Sequence, residues 1–219
     1  MLKKEFIQEL ICTEKILPLY YADSIEISID ILKTLYNAGI RIVEYTNRGA
    51  QALNNFIELR KIVNDEMPGL QLGAGTIKTT VDAQLFITAG ADFIVCPVVN
   101  IDVANIVHKA ELLWIPGCMT ATEIFTAESN GATIVKIFPG NILGPGYVSS
   151  IKDLFPNILF MPTGGAEVSE ENLSTWFNAG VCAVGMGSKL VSKLIIENRD
   201  YTKLNALTKQ ALQIIKSIS

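Results

Sequence analysis

Short, β-rich apolar runs alternate with segments of helical period along nearly the whole chain, and that alternation leaves few architectures open. The runs cover 16–21, 41–46, 70–76, 93–97, 112–116, 133–138, 158–163 and 182–188. Stretches such as SIEISIDILKTLYNAG, QALNNFIELRKIVNDE and SEENLSTWFNAG lie between them, with apolar residues near i, i+3 and i+4. A phrase recurs where helix should give way to strand: Asn37-Ala38-Gly39, Thr88-Ala89-Gly90, Asn130-Gly131 and Asn178-Ala179-Gly180. Glycine at such a point can take the left-handed conformation that ends a helix. These glycines stand 51, 41 and 49 residues apart, about two βα units each time. Eight units, an opening helix from Lys3 to about Glu14 and a closing one in TKLNALTKQALQIIKSIS predict an α/β fold, a (β/α)8 TIM barrel with an N-terminal helix, as one domain over 1–219. An open doubly wound sheet is the second reading, but no G-x-G-x-x-G follows the first strand.

Composition supports the barrel and removes several function classes. Mean hydropathy is +0.34 with 18% charged residues, yet no apolar stretch reaches the ~18 residues of a membrane span. High hydropathy without a span points to strands buried on both faces, as in a parallel sheet. A net charge of −4 with scattered Lys and Arg offers no field for a polyanion, so neither nucleic acid nor membrane is an expected partner. Cys12, Cys96, Cys118 and Cys182 are widely spaced, and His108 is the one histidine, which argues against a zinc site or disulfide framework and fits a reducing cytoplasm. Charges interrupt every apolar run of MLKKEFIQELICTEK, so it lacks a signal-peptide core.

Strand residues in a parallel barrel alternate between interior and exterior, and active sites lie at the carboxyl ends of the strands. Ile42, Glu44 and Thr46 share one face of the second strand, with Arg48 just beyond: an E-x-T-x-R pattern aimed at the mouth. Ile134, Lys136 and Phe138 share a face of the sixth. A lysine among apolar interior neighbours is costly unless it is paired or neutral. Two readings stand: a lysine that only pairs with Glu44, or one activated as a Schiff-base nucleophile. Thr163-Gly164-Gly165 ends the seventh strand and Gly185-Met186-Gly187-Ser188 the eighth, just before a helical stretch. Backbone N–H groups of these two loops form the phosphate site of many barrels, with Thr163 and Ser188 able to add hydroxyls; ligand-free tight turns are the alternative. Gly73-Ala74-Gly75-Thr76 lacks the Walker lysine and reads as a strand end presenting Thr76, Cys96-Pro97 as a loop-shaping end, and His108 as a packing residue on a helix.

In order and spacing, RIVEYTNR, LGAGT, IVCP, WIPG, IVKIFP, FMPTGG and VGMGS resemble the class I aldolases that cleave 2-keto-3-deoxy-6-phosphogluconate (KDPG) and 4-hydroxy-2-oxoglutarate (KHG). The resemblance runs from about Ile16 to the C-terminus. It implies a (β/α)8 barrel, usually a homotrimer, using no metal and no cofactor beyond a covalent imine through Lys136. It further implies Glu44 as general acid/base, Arg48 on the carboxylate of the 2-oxo acid, Thr76, Pro97, Phe138 and Thr163 lining the substrate, and Gly164, Gly165, Gly187 and Ser188 at the phosphate. The expected partner is a small 2-oxo-4-hydroxy acid, phosphorylated at its far end. Many relatives carry an arginine near the end of the first strand, where this chain reads Leu19-Tyr20-Tyr21. Other phosphate-binding barrel enzymes and a catalytically silent sugar-acid-phosphate binder share the glycine loops; Lys136, Glu44 and Arg48 together favour the aldolase. A metal-dependent aldolase would need nitrogen ligands that His108 alone cannot supply.

Overall fold

Each of the eight expected runs holds a strand in the computed structural model, which describes residues 2–218. The order begins α1 (Lys3–Glu14), β1 (Ile16–Tyr20), α2 (Ile25–Ala38), β2 (Ile42–Thr46), α3 (Ala52–Glu66), β3 (Gln71–Gly75), α4 (Thr80–Thr88), β4 (Phe93–Val95) and α5 (Ile101–Lys109). It continues β5 (Leu113–Ile115), β6 (Gly117–Cys118), α6 (Ala121–Ser129), β7 (Ile134–Ile137), α7 (Gly140–Ile151), β8 (Leu159–Pro162), α8 (Glu170–Ala179), β9 (Val184–Met186), α9 (Lys193–Asn198) and α10 (Tyr201–Ile218). Side-chain caps start the helices: Ser24, Thr79 and Ser169 each accept a backbone N–H of the first turn, and Thr120 forms a capping box with Glu123. The recurring glycines end them, with φ of 117° at Gly39, 91° at Gly90, 84° at Gly131 and 102° at Gly180.

The strands pair in parallel as a curled six-stranded sheet, β5-β4-β3-β2-β1-β9, and a three-stranded one, β6-β7-β8. The expected fifth run, 112–116, holds β5, and the strand goes on past that run as β6. Pro116 lacks an N–H and interrupts it, while its carbonyl accepts the Lys136 N–H at 2.8 Å. At the other junction Thr163 bridges to Gly185, and Cys182 N–H donates to the Phe160 carbonyl at 2.9 Å. The pattern along α7 was not legible: Gly144, at φ 71°, breaks it, and Pro145 restarts it with a φ suited to a first helical turn.

Two apolar cores result. The larger lies between sheet and helices; the smaller fills the curl with Leu17, Ile42, Phe93, Ile115, Ile134 and Met161. Ile7 and Ile11 of α1 are fully buried in this inner core, so α1 packs into the curl with about 1.5–3 kcal/mol per side chain. Glu44 and Lys136 are buried one strand position toward the carboxyl ends from Val43 and Val135, on the same inward faces as Ile42 and Ile134.

The thiols of Cys12 on α1 and Cys182 ahead of β9 are neighbours. The hydrogen bond from Cys182 lowers Cys12 to about 7, outweighing burial, whereas burial pushes Cys96 and Cys118 up to about 12. Iodoacetamide should therefore label Cys12 first in the folded protein, with a rate that rises through about pH 7, and leave Cys96 and Cys118 untouched. Peptide mass mapping that found Cys96 alkylated ahead of Cys12 would contradict this packing.

Candidate active site

Glu44 can be fully buried because of what lies beside it. Its register partners are Leu19 on β1 and Gly73 on β3, and Gly75 follows on the same face. A Cβ on Gly75 would stand 1.8 Å from Glu44 Oε1, and one on Gly73 2.3 Å from the Phe93 ring. The two glycines therefore clear the volume that the carboxylate and its aromatic neighbour occupy. Lys136 enters from β7, with Gly117 and Met161 as its register partners. Its Nζ is 3.8 Å from Glu44 Oε1, with the side chains 4% and 0% exposed.

That distance bears on the two readings of the lysine. A pair present only to neutralise two buried charges gains most by closing to about 2.7–2.9 Å with the remaining lone pairs satisfied. Here the contact is longer, and neither Glu44 oxygen has a hydrogen-bond partner among the described residues. Leaving a buried carboxylate so poorly served is costly to the fold, and such cost concentrates where a reaction uses the group.

Above the pair opens a cavity of about 540 Å³ lined by Arg48, Phe138, Thr163, Gly164, Gly165, Gly187 and Ser188, seven of the eleven expected site residues. Neither Lys136 nor Glu44 lines this cavity, but Lys136 Nζ lies 5.2 Å from the centre of the Phe138 ring, which does. Arg48 is exposed, its N–H donating to the Thr46 carbonyl, and it makes no ion pair among the described residues. Thr163 is buried with a free hydroxyl beside Gly185, where a Cβ would approach it to 2.3 Å. Gly164 and Gly165 both have positive φ, 88° and 83°, which turns the chain against the start of α7.

Thr76 directly follows β3 and Pro97 lies two residues past β4, and neither lines this cavity. Thr76 has φ 60°, where a β-branched residue carries about 1–3 kcal/mol of strain. The chain also leaves the Gly187-Ser188 turn without entering a helix at once: Leu190 and Val191 donate to the Gly187 carbonyl, and α9 starts at Lys193. The expectation of a helical stretch just after that turn is corrected by this intervening turn. Sequence reading missed Leu19, Asn141, Glu167 and Lys189 as lining residues. The end of β1 brings no cation: the Tyr20 hydroxyl donates to the Ser28 carbonyl and that of Tyr21 to Asp23. His108 packs as expected, edge to face on Trp114 with Nε2 3.0 Å from the Asn130 carbonyl. Among the described residues no three His, Cys, Asp or Glu side chains meet as a metal site, and no helix is long and apolar enough to cross a membrane.

The family model described as KDPG and KHG aldolase matches residues 7–207. The 2-dehydro-3-deoxy-phosphogluconate aldolase of Treponema pallidum is 32% identical, covering 92% of this chain and 93% of that protein. The 2-dehydro-3-deoxy-6-phosphogalactonate aldolase of Escherichia coli is 37% identical over 54% of this chain and 58% of its own length. Among solved structures, KDPG aldolase from Legionella pneumophila, with pyruvate captured as a covalent carbinolamine, superposes with a TM-score of 0.82 at 25% identity, covering 91% of this chain and 95% of that one.

Proposed function

The chain belongs to the KDPG and KHG aldolase family, and on that premise we propose that it is a class I aldolase with Lys136 as the imine-forming residue. It cleaves 2-dehydro-3-deoxy-6-phosphogluconate to pyruvate and glyceraldehyde 3-phosphate, 4-hydroxy-2-oxoglutarate to pyruvate and glyoxylate, or both. The observation that carries the assignment of roles is the buried, loosely held Lys136–Glu44 pair beside Phe138, which together with Arg48 lines the cavity.

Neutral Lys136 attacks the C2 ketone; the carbinolamine loses water and leaves a protonated imine. Glu44, directly or through a water, takes the proton from the C4 hydroxyl. The C3–C4 bond breaks, the aldehyde departs, and the electron pair moves through C3 into the imine to give an enamine. Glu44 returns the proton to C3, and hydrolysis releases pyruvate and restores the lysine. One carboxylate can thus serve each transfer. The imine is the electron sink, so the reaction calls for no cofactor. Arg48 clamps the substrate carboxylate and aims the ketone at Lys136. Phe138 and Thr163 wall the carbon chain, and the turns at Gly164, Gly165, Gly187 and Ser188 receive the phosphate.

The same reading closes the two sheets into one (β/α)8 barrel domain over 1–219. Its support is the Thr163–Gly185 bridge at one junction and the chain continuity of β5 and β6 through Pro116 at the other. A homotrimer is the assembly we propose. Exposed apolar side chains on successive elements, Val81 and Leu85, Val98 and Ile101, Met119 and Phe125, support it. Four free thiols suit a reducing cytoplasm.

Incubation with pyruvate followed by borohydride should add one reduced pyruvate to the chain, and the adducted peptide should contain Lys136. A protein that stays unmodified, or is modified elsewhere, overturns the assignment.

A further inference from the structure

The cavity holds one cation that the chemistry above leaves unused. Glu167 follows the Gly164–Gly165 turn and Lys189 follows Ser188; both line the cavity, and Lys189 Nζ is 2.7 Å from Glu167 Oε1. Apart from Arg48, Lys189 is the only cation among the described lining residues, and Glu167 the only anion. The pair therefore spans the two glycine turns, at the place where the far end of a substrate anchored through Lys136 and Arg48 arrives. The end of β1 offers Leu19 instead of a charge, and the hydroxyls of Tyr20 and Tyr21 are engaged elsewhere.

We propose that Lys189 is the specificity-determining cation for the distal phosphate, held over the glycine turns by Glu167 until the phosphate takes it. This rests on the aldolase reading above and deepens it. The side chains of the pair are 55% and 48% exposed, and an ion pair so exposed shifts an equilibrium by about fivefold at most. A phosphate carries a charge of about −1.5 to −2 and three acceptor oxygens, and it is held at the same time by backbone N–H groups, so it displaces the single carboxylate. Glu167 has a second effect. With Lys189 gone, its uncompensated charge faces the phosphate directly and repels it. The pair accordingly rewards a phosphorylated substrate only while the lysine is present.

The test compares 2-dehydro-3-deoxy-6-phosphogluconate with the same sugar acid lacking phosphate. Lys189→Met should lower the kcat/KM ratio of phosphorylated to unphosphorylated substrate by about tenfold, carried mainly by KM of the phosphorylated one. Glu167→Gln should lower that KM by about twofold, and the double variant should regain part of the loss. Added potassium chloride should erode the wild-type ratio more steeply than that of Lys189→Met. Borohydride trapping of pyruvate separates the two levels of inference. If wild type forms no adduct, the aldolase reading fails. If wild type and Lys189→Met both form it while the ratio moves less than about twofold, or if wild type shows no preference for phosphate, the role of Lys189 is overturned and the aldolase stands.

Discussion

Lys136→Met should give a protein that forms no borohydride-trapped pyruvate adduct and turns over at least about 10⁴-fold more slowly, because the covalent path then has no nucleophile. Lys136 is the one lysine buried among the described residues, so no other amine shares its setting. The substitution also strands Glu44, whose oxygens, among the described residues, already lack hydrogen-bond partners and would lose their only cation. Breaking a buried pair from one side costs about 3–5 kcal/mol, which should appear as a lower urea midpoint. Removing both charges reverses the sign. Lys136→Met combined with Glu44→Leu should equal or exceed wild-type stability, since an apolar replacement of a buried pair is neutral or favourable by about 1–4 kcal/mol. A single variant as stable as wild type would show that the pair carries no such cost, and residual adduct in it would show that Lys136 is not the seat of the imine.

The residues proposed for this chemistry were legible in the sequence because a strand has a period of two. Once β2 and β7 are strands, Glu44 must share the inward face of Ile42, and Lys136 that of Ile134. The glycines at 39, 90, 131 and 180 were legible for a related reason: each ends a helix in a conformation that costs other residues more. Features set by tertiary contact were not. Nothing local marks Pro116 as the point where one strand becomes two, and α7 was hidden by Gly144 and Pro145, which argue against a helix in any window. The Glu167–Lys189 pair joins two loops 22 positions apart and exists only because β8 and β9 end side by side. Gly73 and Gly75 were read as a strand end. Their real work is volume: on the strand beside Glu44 they leave out the side chains that would displace the carboxylate and the Phe93 ring.

That vacated volume leads to the second large effect. Glu44→Gln should still form the pyruvate adduct, since Lys136 remains, but should lose about 10²–10⁴-fold in turnover because an amide cannot carry the proton between C4 and C3. Gly75→Ala should reproduce much of that loss while leaving every catalytic group chemically intact. Its new Cβ falls 1.8 Å from Oε1 and 2.5 Å from Cδ of a side chain that is already fully buried, so the carboxylate must move. A displacement of about 1 Å at a reacting group is worth roughly 10²-fold in rate, and the overpacking about 1–3 kcal/mol in stability. Gly146→Ala supplies the matching control: it has nothing within 4 Å of its Cβ and lies within α7, so it should leave turnover unchanged. The comparison is more exacting than Glu44→Gln alone, because it separates the presence of a carboxylate from its position. If Gly75→Ala kept full turnover with the adduct intact, Glu44 would be able to work from a displaced rotamer, or the proton would have another carrier. Either result would break the link drawn between the glycine register of β3 and the chemistry at Lys136.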